Sequence, residues 1–197
     1  MGNERRSTHT PRRKLREPRP LITKQMWKPG TLLYPVPAVM VSCATKDGRG
    51  NIATVAWTGT VCSEPPMLSI SMRKSRYSYG LLVESGEFVV NIPSLRLVRE
   101  TDYCGVMSGR DVDKFAMAGL TRGPGSSVNV PIIMECPVNI ECAVRQTIEL
   151  GSHTMFVAEV TAVQVSEHLL TSSGRTSCVN RVLSSAAPRI RCTPGTP

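Results

Sequence analysis

Apolar and polar positions alternate along this chain in short runs, the period of half-buried strands rather than of long helices. Residues 38–43 form a short apolar run that ends in Lys46-Asp47-Gly48-Arg49-Gly50. An Asp-Gly turn there predicts a hairpin whose partner strand is 52–60. Pro65-Pro66 then breaks the chain, and 67–72 alternates, with Leu68, Ile70 and Met72 on one face and Met67, Ser69 and Ser71 on the other. Residues 78–85 predict a short helix stopped by Gly86, and 87–92 a β-branched strand. Ser94 is placed to cap a helix running to about Cys104, and 111–118 predicts another helix closed by Gly119. Val138, Ile140, Cys142 and Val144 alternate along a strand, and 154–165 predicts a long strand after Gly151-Ser152-His153. Many antiparallel strands with few, short helices predict a mainly β, α+β protein: a closed β-barrel with helical decorations.

The 197 residues are enough for one domain with a self-sufficient core. Residues 1–25 hold Pro11, Pro18, Pro20 and many arginines with almost no apolar periodicity. That composition predicts a disordered basic arm, a folded domain over 26–170 and a tail over 171–197. Either Met1 or Met26 can serve as the start. The net charge of +9 resides in the ends: residues 1–24 carry +6, 171–197 carry +4, and 25–170 carry −1. Basic arms can bind polyanions, but a near-neutral body argues against nucleic-acid binding as the function. No apolar run reaches the roughly 18 residues of a membrane helix, and the N-terminus lacks the apolar stretch of a secretory signal. A cytoplasmic location is therefore expected. The cysteines at 43, 62, 104, 136, 142, 178 and 192 show neither C-x-x-C nor zinc spacing. An odd number scattered through apolar segments predicts free thiols used as small core residues, with no metal site.

There is no P-loop, G-x-G-x-x-G, G-x-S-x-G or H-E-x-x-H. The turn Arg73-Lys74-Ser75-Arg76-Tyr77-Ser78 places cations and hydroxyls where the first N–H groups of a helix are unpaired, which suits a phosphate. On these residues alone, a solvated turn with Ser78 as N-cap fits as well. Asn51 and Trp57 flank the small residues Ala53, Thr54 and Ala56, over which a planar ring can approach the backbone; a turn asparagine and a core tryptophan are the alternative. His153 lies at a strand start and Lys114 after a glycine turn. By themselves they read as a structural histidine and an exposed helical lysine.

Seven segments, taken in order, resemble the flavin reductase-like family with the FMN-binding split barrel, most closely its flavoredoxin branch. They are WKPGTLLYPVPAVMVSC, GNIATVAW, SEPPMLSISMRKSRYSYGLL, GEFVVNIP, GRDVDKF, VPIIMECPVNIEC and GSHTMFVAEV, spread over about residues 27–165. The resemblance implies a homodimer of split barrels with one non-covalent FMN per subunit near the interface. It implies that Asn51 and Trp57 lie at the flavin and that Ser78 meets its phosphate, and it tips the residue-level readings towards Ala53 and Thr54 as ring contacts and Arg73, Ser75 and Arg76 as phosphate contacts. It also implies that Lys114 approaches the cofactor, that His153 sits at the flavin face where nicotinamide or another partner binds, and that Asn91 is a more distant neighbour. Two departures stand out: Ala158 occupies a position where the family usually has glycine, and 171–197 lacks the aromatic-rich segment that closes over the flavin. That tail reads as a divergent sequence or an altered reading frame. The function implied is an NAD(P)H-dependent flavin oxidoreductase, with His153 and Lys114 as catalytic candidates; the alternative is a flavoredoxin-like electron carrier reduced by a redox partner protein.

Overall fold

The structure is a computed structural model that describes residues 22–170. Most of the expected basic arm and all of the divergent tail lie outside the described residues. The chain divides into two compact units with a boundary between Leu33 and Tyr34. In the first, residues 22–33 form no helix or strand. The second unit carries the fold.

Seven strands of that unit form one antiparallel sheet: β1 (Val39–Ala44), β2 (Gly50–Val55), β3 (Thr58–Ser63), β4 (Pro66–Met72), β5 (Glu87–Ile92), β8 (Val138–Leu150) and β9 (His153–Val165). Two short strands, β6 (Arg122–Gly123) and β7 (Ile132–Ile133), pair separately. The helices are α1 (Tyr77–Ser85), α2 (Val98–Val106) and α3 (Lys114–Met117). The order in the large sheet is β2-β1-β5-β8-β9-β4-β3. Its two outer strands are consecutive in the chain, so the link at Ala56-Trp57 joins the edges and turns the sheet into a barrel. This corrects the single strand expected over 52–60. The chain must leave one edge and enter the other, and Trp57 marks the break, its carbonyl accepting from Ser71 N at 2.9 Å.

The pattern of burial follows from this closure. On β4, Leu68, Ile70 and Met72 are buried and the alternate residues are half-buried, as the alternation predicts. All six residues of β1 are buried because both faces are covered. Val39 and Val41 join Ile70, Leu82, Phe88, Phe156 and Ala158 inside the barrel. Met40 packs on the other face with Ile52, Cys104, Phe115 and Ile133. Each buried phenylalanine adds roughly 1.5–3 kcal/mol. Ala158, the departure from the family glycine, is fully buried in this core and its methyl is accommodated.

Helix α1 begins at Tyr77 with Arg76 as N-cap, so Ser78 is inside the helix rather than its cap. Gly86 ends it in the left-handed conformation, φ 67°. The helix expected over 111–118 shrinks to α3 because Asp113 caps it, accepting from Phe115 N and Ala116 N. Gly119 follows with φ 64°. Among the described residues no helix is long and apolar enough to cross a membrane.

Candidate functional site

A cavity of about 560 Å³ opens between β2, the start of α1, the end of α2 and the segment leading into α3. It lies on the second unit alone. Strand β2 presents Asn51, Ala53 and Thr54, small groups that leave the backbone accessible. The β4–α1 turn adds Arg73, Ser75, Arg76 and Ser78, and the first N–H groups of α1 lack intrahelical acceptors. Trp57 and His153 stand at the cavity with ring centroids 4.4 Å apart.

The inner wall is tied together by polar contacts. Asn51 Nδ2 donates to Ser78 Oγ at 2.7 Å, linking β2 to the first turn of α1, and both side chains are buried. Thr54 Oγ1 donates to Thr101 O, fastening β2 to α2. Lys114 is 5% exposed, and its Nζ donates to Ile52 O and to Cys104 O, each at 2.7 Å. An ammonium has three N–H donors, so one remains for a ligand. Among the described residues no carboxylate pairs with Lys114. Burial, with the positive charge of Arg76, pushes its pKa below the ordinary lysine value of 10.5.

The electrostatics of the lining have one sign. Arg73, Arg76, Arg110 and Lys114 all face the cavity, and no Asp or Glu lines it. None of the four belongs to a salt bridge among the described residues. Partial burial and the charge of Arg73 lower the pKa of His153 from 6.5, so its imidazole is neutral at pH 7. Its Nδ1 is hydrogen-bonded to Ser152 Oγ at 2.9 Å. Burial raises the Cys104 thiol to about 11, which keeps it protonated and unreactive beside the cavity.

The cavity thus brings together Asn51, Ala53, Thr54, Trp57, Arg73, Ser75, Arg76, Ser78, Lys114 and His153, residues spread over more than a hundred positions. It does not include Asn91, and that expectation is corrected. Asn91 is fully buried on β5, where its amide donates to Met40 O and Ser42 Oγ at 3.0 Å. Its Oδ1 accepts from Ile133 N at 2.9 Å and Asn139 Nδ2 at 2.8 Å. It is a structural knot joining β1, β5, β7 and β8. Replacing Asn91 with leucine is expected to lower stability by about 2–3 kcal/mol, because several buried groups lose their partners. Thermal unfolding measures that loss. Ligand binding at the cavity of the folded protein should stay within about twofold of wild type, and a larger drop would return Asn91 to the site. Residue-by-residue reading also missed Arg110 and Gly109, which reach the cavity from the loop after α2. Both fall in the GRDVDKF segment, and that placement was the available signal.

These features define an antiparallel split-barrel protein with a cationic cavity at one side of the barrel. The chain belongs to the Flavin reductase like domain family, whose model matches residues 31–177. The fold is similar to the flavoredoxin of Desulfovibrio vulgaris (Miyazaki F), with TM-score 0.75 and 40% identity over 81% of this chain and 85% of that one. The flavoredoxin of Methanosarcina acetivorans gives TM-score 0.74 and 31% identity over 82% and 84%. An FMN-binding protein of Thermus thermophilus, solved with 1-cyclohex-2-enone bound, gives 0.66 and 25% over 79% and 85%.

Proposed function

We propose that this protein holds one FMN non-covalently in the cavity and passes electrons or hydride between FMN and a reduced donor, NAD(P)H. The observation that carries this reading is the one-signed lining: four cationic side chains, one of them buried without a carboxylate, around a strand of small residues. A phosphorylated planar ligand fits that donor set. Ser78, the N–H groups at the start of α1, Arg76 and Lys114 would hold the phosphate. Asn51, Ala53, Thr54 and Trp57 would bound the ring. FMN supplies the redox chemistry when bound. Neutral His153, packed at a tilt against Trp57 and close to Arg73, would orient the donor rather than deliver a proton. A homodimer is part of the same reading. Its support is the exposed apolar rim, with Trp57 44% and Val61 52% exposed where the barrel edges join.

The visible spectrum of the purified protein, followed by anaerobic addition of NADH or NADPH, tests this. Flavin absorbance that bleaches supports the reductase. The 40% identity to a flavoredoxin favours a second reading, an electron carrier. In that case the absorbance would persist until a reduced partner protein is added. Failure to bind FMN on reconstitution would overturn both readings. His153→Ala is expected to slow NAD(P)H oxidation by roughly 10- to 100-fold through lost donor alignment, with FMN content retained. Unchanged stopped-flow kinetics would remove His153 from that role.

A further inference from the structure

The loop that follows α2 touches the 73–78 turn in two ways. Arg110 Nη1 donates to Ser75 O at 3.3 Å, and its guanidinium carbon lies 5.9 Å from the centre of the Tyr77 ring. A third guanidinium therefore reaches the turn that already carries Arg73 and Arg76, from more than thirty residues away. One of its N–H groups is spent on Ser75, and the other donors of the fork are left for an anion. The second contact is indirect. Gly109 lies flat against the Asn51 amide, and a Cβ added there would overlap Asn51 Oδ1, Cγ and Nδ2. Asn51 in turn donates to Ser78 Oγ. The loop has its own internal ties: Arg110 N donates to Ser108 Oγ at 3.2 Å, and Asp111 N to Ser108 O at 3.1 Å. It is a formed turn that carries Arg110 in a set position.

We propose that Gly109 and Arg110 form a phosphate-selecting clamp, Arg110 by direct contact with the ligand's phosphate and Gly109 by holding Asn51 against Ser78. The inference rests on the FMN reading above and adds a specificity to it: the site takes the phosphorylated flavin in preference to the same ring system without phosphate. Arg110 binds the anion. Gly109 is a positioning residue, because only a residue without a side chain lets the loop seat on Asn51. Arg110 is exposed, so its replacement leaves the core unchanged.

Titration of the apoprotein with FMN and with riboflavin, followed by flavin fluorescence, tests the clamp. Arg110→Ala is expected to weaken FMN binding roughly tenfold, as for a lost charge-assisted hydrogen bond, and to leave riboflavin within about twofold of wild type. Arg110→Lys should recover part of the loss, since a lysine keeps the charge but not the fork. Gly109→Ala should weaken FMN more than riboflavin, since the Asn51 it displaces both borders the ring and holds Ser78 at the phosphate, and in an Asn51→Ala background it should add little, because the group it displaces is gone. Equal losses for both flavins, no loss in Arg110→Ala, or a Gly109→Ala penalty independent of Asn51 would overturn the clamp. A wild-type protein that binds neither flavin would instead overturn the FMN reading itself.

Discussion

Replacing Lys114 with methionine is expected to weaken FMN binding by roughly 10- to 100-fold, the effect of losing a hydrogen bond between charged partners. The apoprotein should lose little stability or gain some. The lysine is buried, and its two acceptors, Ile52 O and Cys104 O, are neutral carbonyls. A buried cation in that setting opposes folding until an anion arrives. Methionine keeps the volume and removes the charge. The comparison therefore separates a binding residue from a structural one: affinity falls while the melting temperature of the apoprotein holds. Unchanged FMN affinity would exclude Lys114 from the site. A collapse of the apoprotein would make it a structural tie instead.

The same residue predicts an alkaline signature. The pKa of Lys114 in the fold is below 10.5. Between the lowered value and 10.5, the unfolded chain holds a proton that the native apoprotein has released. Apoprotein stability therefore gains a contribution from Lys114 as pH rises through that window. With FMN held at Lys114 as proposed, the ligand favours the protonated lysine, so its affinity should fall over the same window. Melting curves with and without FMN should thus converge on the alkaline side, and Lys114→Met should abolish the convergence.

How much of this was legible in the sequence depends on how local the cause is. The alternation on β4 and the apolar run of β5 are written in adjacent residues, and both strands are found where the pattern places them. The break at Ala56-Trp57 is not, because it comes from joining two sheet edges that meet only in the closed barrel. The turn at 73–78 suggested an anion site through its own residues, and the fold brings Arg73, Ser75, Arg76 and Ser78 to one cavity. That Lys114 is buried beneath the cavity rather than exposed depends on α2 and β2 supplying carbonyls from 10 and 62 positions away. Asn91 looked like a site residue through its motif, yet the partners of its side chain lie on three other strands, β1, β7 and β8. Arg110 looked like loop charge, and only the folded chain brings it to Ser75.

Glu141→Ala is expected to destabilise the fold by about 3–5 kcal/mol, because several donors gathered round one buried carboxylate lose their acceptor, each at a cost of about 1–3 kcal/mol when left unmade. In the sequence Glu141 is the polar member of an alternating strand. In the fold it is fully buried at a register shift between β8 and β9. Its carboxylate accepts from Ser126 N and Oγ, Ser127 N and Oγ, and Gln164 Nε2, at 2.6–3.0 Å. No Lys or Arg takes part among the described residues. Burial alone would raise the carboxyl, but the hydrogen bonds from Gln164, Ser126 and Ser127 outweigh it and hold the pKa at about 2, down from 4.5. Because the folded value is the lower one, the stabilisation is complete above the unfolded pKa and disappears as pH falls from about 4.5 towards 2. A shift of that size corresponds to about 3 kcal/mol. Glu141→Gln keeps the shape but turns an amide N–H₂ towards N–H donors, so it should lose a comparable amount at pH 7. The gap in melting temperature between wild type and Glu141→Gln should therefore be widest near neutrality and narrow steadily below pH 4.5. A gap that stays constant down to pH 3 would show that the carboxylate's charge is not what fastens the 126–127 loop to the barrel.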